Sequence, residues 1–363
     1  MMQKVYNEHY DPHFSRNAAL MTDFLDKHYF RSELIGFEEL PERNNPNAPL
    51  IYISNHSGMA FPWDGIIFAA KLLMHCNFEL KNAFRPLSAP MLSKSVLSNP
   101  FMVKEMWKKV GCIDATFDNF EAMMGYKDSN VLVYPEGVPG ISKGFNNKYQ
   151  LQRFSSSCVY MAIKHQTNIV PVMSVGAEYI NPCSYKSEML NKLVNKIGVL
   201  FLPITPILIL LVLQPWIFYM AFPAKLRFVR LATIDYKTLS DKNADELTKP
   251  ELQAIAETLR QKVQLQLNET VKKYENEPFE FKNLLKTLFS NKKHLPFLTC
   301  AGWALLFAEF EYQQKRGKVI EFDKLNFWSI FRIIAHSPLV LCYYIPIFGW
   351  IPLLIKGYKG NKL

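Results

Sequence analysis

Two short blocks in this chain carry residues able to move a proton. Asn55-His56 is followed eight residues later by Asp64, and Tyr134-Pro135-Glu136-Gly137 begins seventy residues after that aspartate. An imidazole with a carboxylate beside it is the minimum equipment for removing a proton from a hydroxyl near neutral pH. His56 is therefore a candidate general base, and Asp64 a candidate for holding its tautomer and stabilising the imidazolium that forms. Asp64 reads also as the cap of a following helix, because aspartate is a preferred cap. Glu136 can accept hydrogen bonds from a ligand, and Gly137 lets backbone approach it. A tight Pro-Glu-Gly turn with a solvated carboxylate is the plainer alternative. Lys143, Lys148 and Arg153 follow closely enough to bind an anionic group, or to be surface charge.

These residues need elements that deliver them to one place. Leu50-Ile51-Tyr52-Ile53 reads as a strand rising into the His56 turn, and Val131-Leu132-Val133 as a strand rising into Glu136. Helices are expected over residues 15–30, from Asp64 to Cys76, from Phe117 to Tyr126 and from Phe154 to Gln166, with a strand at Ile169–Val175. Thr248-Lys249-Pro250-Glu251 has the spacing of a capping box, and Leu252, Ile255, Ala256, Leu259 and Val263 then hold a helical period. Strands alternating with helices define an α/β sheet. Gly140-Ile141-Ser142-Lys143-Gly144 satisfies a hydrolase G-x-S-x-G pattern, but Pro135 and Pro139 separate it from the strand that a nucleophile elbow requires.

In this order and separation, the two blocks resemble the signature of the PlsC-type glycerolipid acyltransferases. Tyr29-Phe30-Arg31, Gly111-Cys112-Ile113-Asp114-Ala115, Tyr149-Gln150-Leu151-Gln152-Arg153-Phe154, Ile169-Val170-Pro171-Val172 and Pro203-Ile204-Thr205-Pro206 extend the likeness over roughly residues 25–275. Two departures stand out. Seven residues separate His56 from Asp64, more than the family's usual spacing, and Ala115-Thr116 stand where an arginine would hold a phosphate. The resemblance implies a mixed α/β sheet flanked by helices and an acyl transfer. His56 and Asp64 would be catalytic, and Glu136, Gly137, Lys143, Arg153 and Pro171 would bind the acceptor or shape its pocket. Backbone N–H groups near Ser57-Gly58 would stabilise the oxyanion. It further implies an acyl-CoA or acyl carrier protein thioester as co-substrate, with no bound cofactor or metal, and a lysophospholipid acceptor such as 1-acyl-glycerol-3-phosphate. A non-catalytic lipid-binding protein on the same fold, or a serine hydrolase, are the alternatives.

Composition bounds the setting. The 363 residues carry a formal charge of +10, and twelve Lys and Arg against four Asp and Glu fall between Phe281 and Leu363. No nucleic-acid-binding motif accompanies this charge. Basic residues interleaved with apolar runs fit an anionic membrane surface. Ile197–Ala224 is 28 residues without a charge, but Pro203, Pro206 and Pro215 interrupt it, so a segment dipping into one leaflet is expected rather than a span. Ser337–Ile355 is a second uncharged stretch, broken by Pro346 and Pro352. The expected organisation is an acyltransferase domain over 1–280 and a helical, membrane-facing extension over 281–363, at the cytoplasmic face of a membrane. Six cysteines without metal-ligand spacing fit a reducing compartment, and the N-terminus lacks the apolar core of a signal peptide.

Overall fold

The computed structural model describes residues 9–57, 61–90, 105–195 and 204–360. Seven strands form one sheet: β1 Glu33–Ile35, β2 Ile51–Ser54, β3 Phe84–Ser88, β4 Ile113–Asp114, β5 Asn130–Val133, β6 Ile169–Val175 and β7 Arg227–Arg230. Their spatial order is β1-β7-β6-β2-β5-β3-β4. Every pairing is parallel except β6 with β7, which makes the sheet mixed, as expected. β2 and β5 are apolar runs buried throughout, the pattern of a strand covered on both faces.

Alternation along the strands divides the core in two. Tyr52, Leu132, Val170 and Val172 face one apolar cluster, whereas Ile51, Ile53, Val131, Val133 and Met173 face the other. Helix α1 (Pro12–Leu25), helix α2 (Trp63–His75) and residues near Trp303 cover the first face. Helices α3 (Phe117–Met124), α4 (Ser157–Lys164) and α5 (Lys249–Tyr274) cover the second. The capping box at α5 forms as its spacing requires: the Thr248 N–H donates to Glu251 Oε2 at 2.8 Å.

Two helices are shorter than their apolar periodicity suggests, and tertiary contacts explain both. The first ends at Leu25 and continues as a wider turn through Phe30, because Arg31 adopts φ 51° and its guanidinium donates to the carbonyls of Tyr29, Pro223 and Phe279. The helix expected from Phe154 begins only at Ser157, because Phe154 is buried and the Ser155 N–H donates to the Pro135 carbonyl at 2.8 Å.

The uncharged stretches are partly structural. Of Ile197–Ala224, residues 197–203 lie outside the described residues; Pro206–Leu213 is a short helix, and Ile217, Tyr219, Ala221 and Ala224 are buried. Among the described residues no helix is long and apolar enough to cross a membrane. The C-terminal region is helical, and the expected boundary at residue 280 runs through one continuous apolar cluster. Trp303 is fully buried, with its ring 4.9 Å from Trp63 and 5.2 Å from Tyr29.

Trp303→Ala is therefore expected to lower unfolding free energy by about 3–5 kcal/mol, read from urea denaturation. A loss below 1 kcal/mol would mean that the C-terminal region is not part of the principal core.

Candidate active site

The parallel register of β2 and β5 determines where the two chemical blocks meet. Ile53 pairs with Val133, so the residues three places beyond that pair leave the sheet side by side. Those residues are His56 and Glu136, and the His56 N–H donates to Glu136 Oε1 at 3.0 Å. Five strands, β6, β2, β5, β3 and β4, run parallel and present their carboxyl ends at this edge, where open α/β sheets bind ligands.

The longer His–Asp loop closes. Asp64 lies in the first turn of α2, and its Oδ2 accepts from His56 Nδ1 at 3.0 Å and from the Ser57 N–H at 3.2 Å. No side-chain bond caps this helix, whose cap position is Pro62. Burial alone would raise the Asp64 carboxyl, but the charge and hydrogen bond of His56 and the amides of Gly65 and Ser57 hold it below its ordinary 3.8. With Nδ1 committed to Asp64, Nε2 is the remaining nitrogen of a ring that lines the neighbouring cavity. The Tyr134 ring stacks on the imidazole at 4.2 Å between centroids and fixes its plane.

The backbone of His56 is held at both ends. Glu136 takes its N–H, while Lys143 Nζ donates to its carbonyl at 2.9 Å. Lys143 also pairs with Glu178 at 2.8 Å, and both side chains are 1% exposed. Burial pulls the Lys143 ammonium down, but Glu178 and Glu136 outweigh it, so the group is held above its ordinary value. Glu136 itself is pushed up by burial, against the pull of Lys143 and the amides of Gln152 and His56. Its second oxygen accepts the Gln152 N–H at 2.7 Å, which ties the downstream loop to the same carboxylate. A Cβ at Gly140 would come within 2.6 Å of the Glu136 Cβ and 3.2 Å of the His56 Cβ, so only glycine allows this approach.

The structure separates the expected site residues. His56, Glu136, Gly137 and Arg153 line a cavity of about 1480 Å³, mainly apolar in its walls. Among the described residues, Arg153 is the one Lys or Arg on that wall, and Ala115 and Thr116 line it as well. Lys143 supports His56 from behind instead of facing the cavity. Pro171 lies inside β6 opposite Ile53, within the sheet and away from the cavity wall. The Ser57 N–H is already directed at Asp64, and Gly58 lies outside the described residues. Lys148 pairs with Glu275 at 3.3 Å. Ser142 is buried in a turn beyond Gly140, with its Oγ on the Pro139 carbonyl at 3.5 Å, and forms no elbow. Among the described residues no cluster of His, Cys, Asp or Glu is placed to hold a metal ion.

Three contributors escape a reading of residue types alone. The Asn55 carboxamide accepts the Ser174 N–H at 2.8 Å and donates to the Ser174 carbonyl at 3.0 Å, pinning the end of β2 to β6. Glu178 and Gly140 are the others. Asn55 adjoins the histidine and could have been suspected, whereas nothing local to Glu178 announces its partner.

Residues 32–175 match the family model described as Acyltransferase. An uncharacterized protein of Mycobacterium leprae is 32% identical over 202 residues, covering 54% of this chain and 50% of its own length. An uncharacterized protein of Mycobacterium tuberculosis is 29% identical over 202 residues, covering 54% of this chain and 51% of its own. The chain thus spans about half the length of the curated relatives it matches. The crystal structure of the 1-acyl-sn-glycerophosphate acyltransferase PlsC from Thermotoga maritima is 12% identical, covers 72% of this chain and 81% of that one, and has a TM-score of 0.38, a likeness too slight to carry an argument.

Two outcomes follow from this geometry. Lys143→Met removes the counter-charge of the buried Glu178 and should cost about 3–5 kcal/mol. Adding Glu178→Gln should recover most of that loss in a double-mutant cycle; no recovery would mean that the pair is not coupled. For Asp64, a depressed folded value means that its ionised form contributes stability above pH 3.8, lost as pH falls through the folded value. The stability gap between wild type and Asp64→Asn should therefore narrow on acidification, and a gap constant down to strongly acid pH would contradict the assignment.

Proposed function

We propose that this chain transfers a fatty acyl group from an acyl thioester to a hydroxyl of a glycerolipid, with 1-acyl-glycerol-3-phosphate as the leading acceptor. The observation that carries the reading is the His56–Asp64 bond of 3.0 Å, which leaves Nε2 of a cavity-lining imidazole to act as base. The acceptor O–H gives its proton to Nε2 as its oxygen attacks the thioester carbon. Collapse of the tetrahedral adduct breaks the C–S bond, and the imidazolium returns the proton to the leaving thiolate. The products are an ester and a free thiol, and no enzyme nucleophile is needed. The donor is an acyl-CoA or acyl carrier protein thioester.

The apolar cavity supports a lipid acceptor, because its volume exceeds the roughly 300–1,000 Å³ of a drug-sized pocket. Arg153 supports an anionic headgroup. It lines the same cavity as Ala115 and Thr116, so a positive charge is supplied there although those two positions carry none.

The test is thiol release from a long-chain acyl-CoA with a panel of lysolipids. Acceptor-dependent release is expected, lowered about 10²–10⁴-fold by His56→Ala. Release without an acceptor would indicate a hydrolase, and no release with any donor would indicate a binding protein. Arg153→Ala should raise the KM for a phosphorylated acceptor roughly tenfold or more while sparing a neutral one. Equal effects on both acceptors would remove Arg153 from headgroup recognition.

A further inference from the structure

The mouth of the cavity is built from residues that ordinarily avoid water. Val212, in the short helix Pro206–Leu213, and Leu354, in the C-terminal helix Trp350–Gly360, line the cavity and are also exposed, so they form its rim. Two hydrogen bonds join these segments into one surface: the Ile347 N–H donates to the Leu213 carbonyl at 3.0 Å, and Trp350 Nε1 to the Leu211 carbonyl at 3.1 Å. Around the rim, Phe348 is 72% exposed, Ile351 57%, and Ile347 51%. Contiguous exposed apolar surface of this kind marks a contact with another apolar phase. Residues 337–355 carry no charge, and Lys356, Lys359 and Lys362 follow directly in the sequence.

We infer that this rim docks into one anionic lipid leaflet, with Phe348 and Ile351 entering the acyl layer, so that the cavity opens toward lipid instead of water. The inference rests on the acyl-transfer reading for what passes through the mouth, but not for the docking itself. Charge selects the occupant. A second copy of this chain would bring two strongly basic C-terminal regions together, whereas an anionic leaflet attracts each lysine near its surface. Both rim segments lie outside residues 32–175, so the entrance belongs to this chain's own C-terminal half and not to the family-matched segment. A lipid acceptor would reach His56 from the leaflet without crossing water.

Co-sedimentation of the full chain with phosphatidylcholine vesicles, with and without phosphatidylglycerol, tests the docking. Wild type should bind the anionic vesicles more strongly, and high salt should release only part of it. Phe348→Ser and Ile351→Ser should each reduce partitioning roughly tenfold or more. Leu265→Ser, on an exposed site of α5 across the sheet, should not. Brominated acyl chains should quench the emission component that Trp350→Phe removes, a readout that does not depend on a weakened variant. Unchanged partitioning in both serine variants, absence of that quenching, or a wild-type dimer that both variants convert to monomer without vesicles would each overturn the inference. Turnover of a water-soluble short-chain pair, which needs no leaflet, keeps the two readings apart: its absence alongside normal vesicle binding would sink acyl transfer and leave the docking standing.

Discussion

The organisation of the site depends on the clamp that holds the peptide groups of His56. A histidine that leaves a strand end on a loop has two backbone groups without ladder partners, and a loose loop would let the imidazole wander from its carboxylate. Here the N–H meets Glu136 and the carbonyl meets Lys143, and both partners are buried charges. Glu178 completes the balance, so the region holds two carboxylates and an ammonium whose charges have few other ways to be satisfied. Once the backbone is held, Asp64 needs only to approach one ring nitrogen. The seven residues between them do not prevent this, since His56 Nδ1 and Asp64 Oδ2 lie 3.0 Å apart.

Such a clamp requires close approach between segments distant in sequence, and the parallel sheet supplies it. The pairing of Ile53 with Val133 brings 56 and 136 together, and Asn55 locks the same strand end to Ser174 on the other side. The close contact at Gly140 lets the turn after β5 fold back over Glu136. Glu136 is therefore less an open acceptor than a cross-brace, since each of its oxygens takes a backbone N–H from a different loop. Its second tie, to Gln152, places Arg153 next in the chain, on the cavity wall. The position of Arg153 thus follows from the same carboxylate that holds the backbone of His56.

Much of this was legible in the residue pattern. Strands β2, β5 and β6 announce themselves as apolar runs, and the long helix α5 by its capping box, because those signals are local. His56 and Asp64 were legible because their spacing, although lengthened, leaves both at element ends. Lys143 and Pro171 show where such reading stops. A lysine seven residues after a buried carboxylate looks like a ligand-binding charge until a distant glutamate, Glu178, is seen to pair with it. Pro171 follows two β-branched residues and sits where a pocket wall is expected, yet the alternation of β6 puts it on the face of Ile169 and Met173, which helices cover. The uncharged stretch 197–224 holds two kinds of residue that hydropathy alone does not distinguish, those buried in protein, such as Tyr219 and Ala224, and exposed ones such as Val212.

The C-terminal residues change what the family-matched segment can be. Residues 32–175 hold His56, Asp64 and the clamp up to Lys143, but not Glu178, and they do not close the cavity. Its walls also need Ala18 and Met21 from α1, Ile207 and Leu211 from the short helix, and Trp350 near the C-terminus. Trp63, next to Asp64 in α2, packs on Trp303 and donates to the Tyr219 carbonyl at 3.1 Å, so the carboxylate's own helix leans on both later regions. The first turn that carries Asp64 is thus set by packing that arrives from more than 150 residues further along the chain. A site whose polar atoms come mostly from one stretch and whose apolar walls are completed by others lets the two be tuned separately. Changes in the later regions can alter what fits the cavity while the His56–Asp64 geometry, held by buried charge, stays as it is.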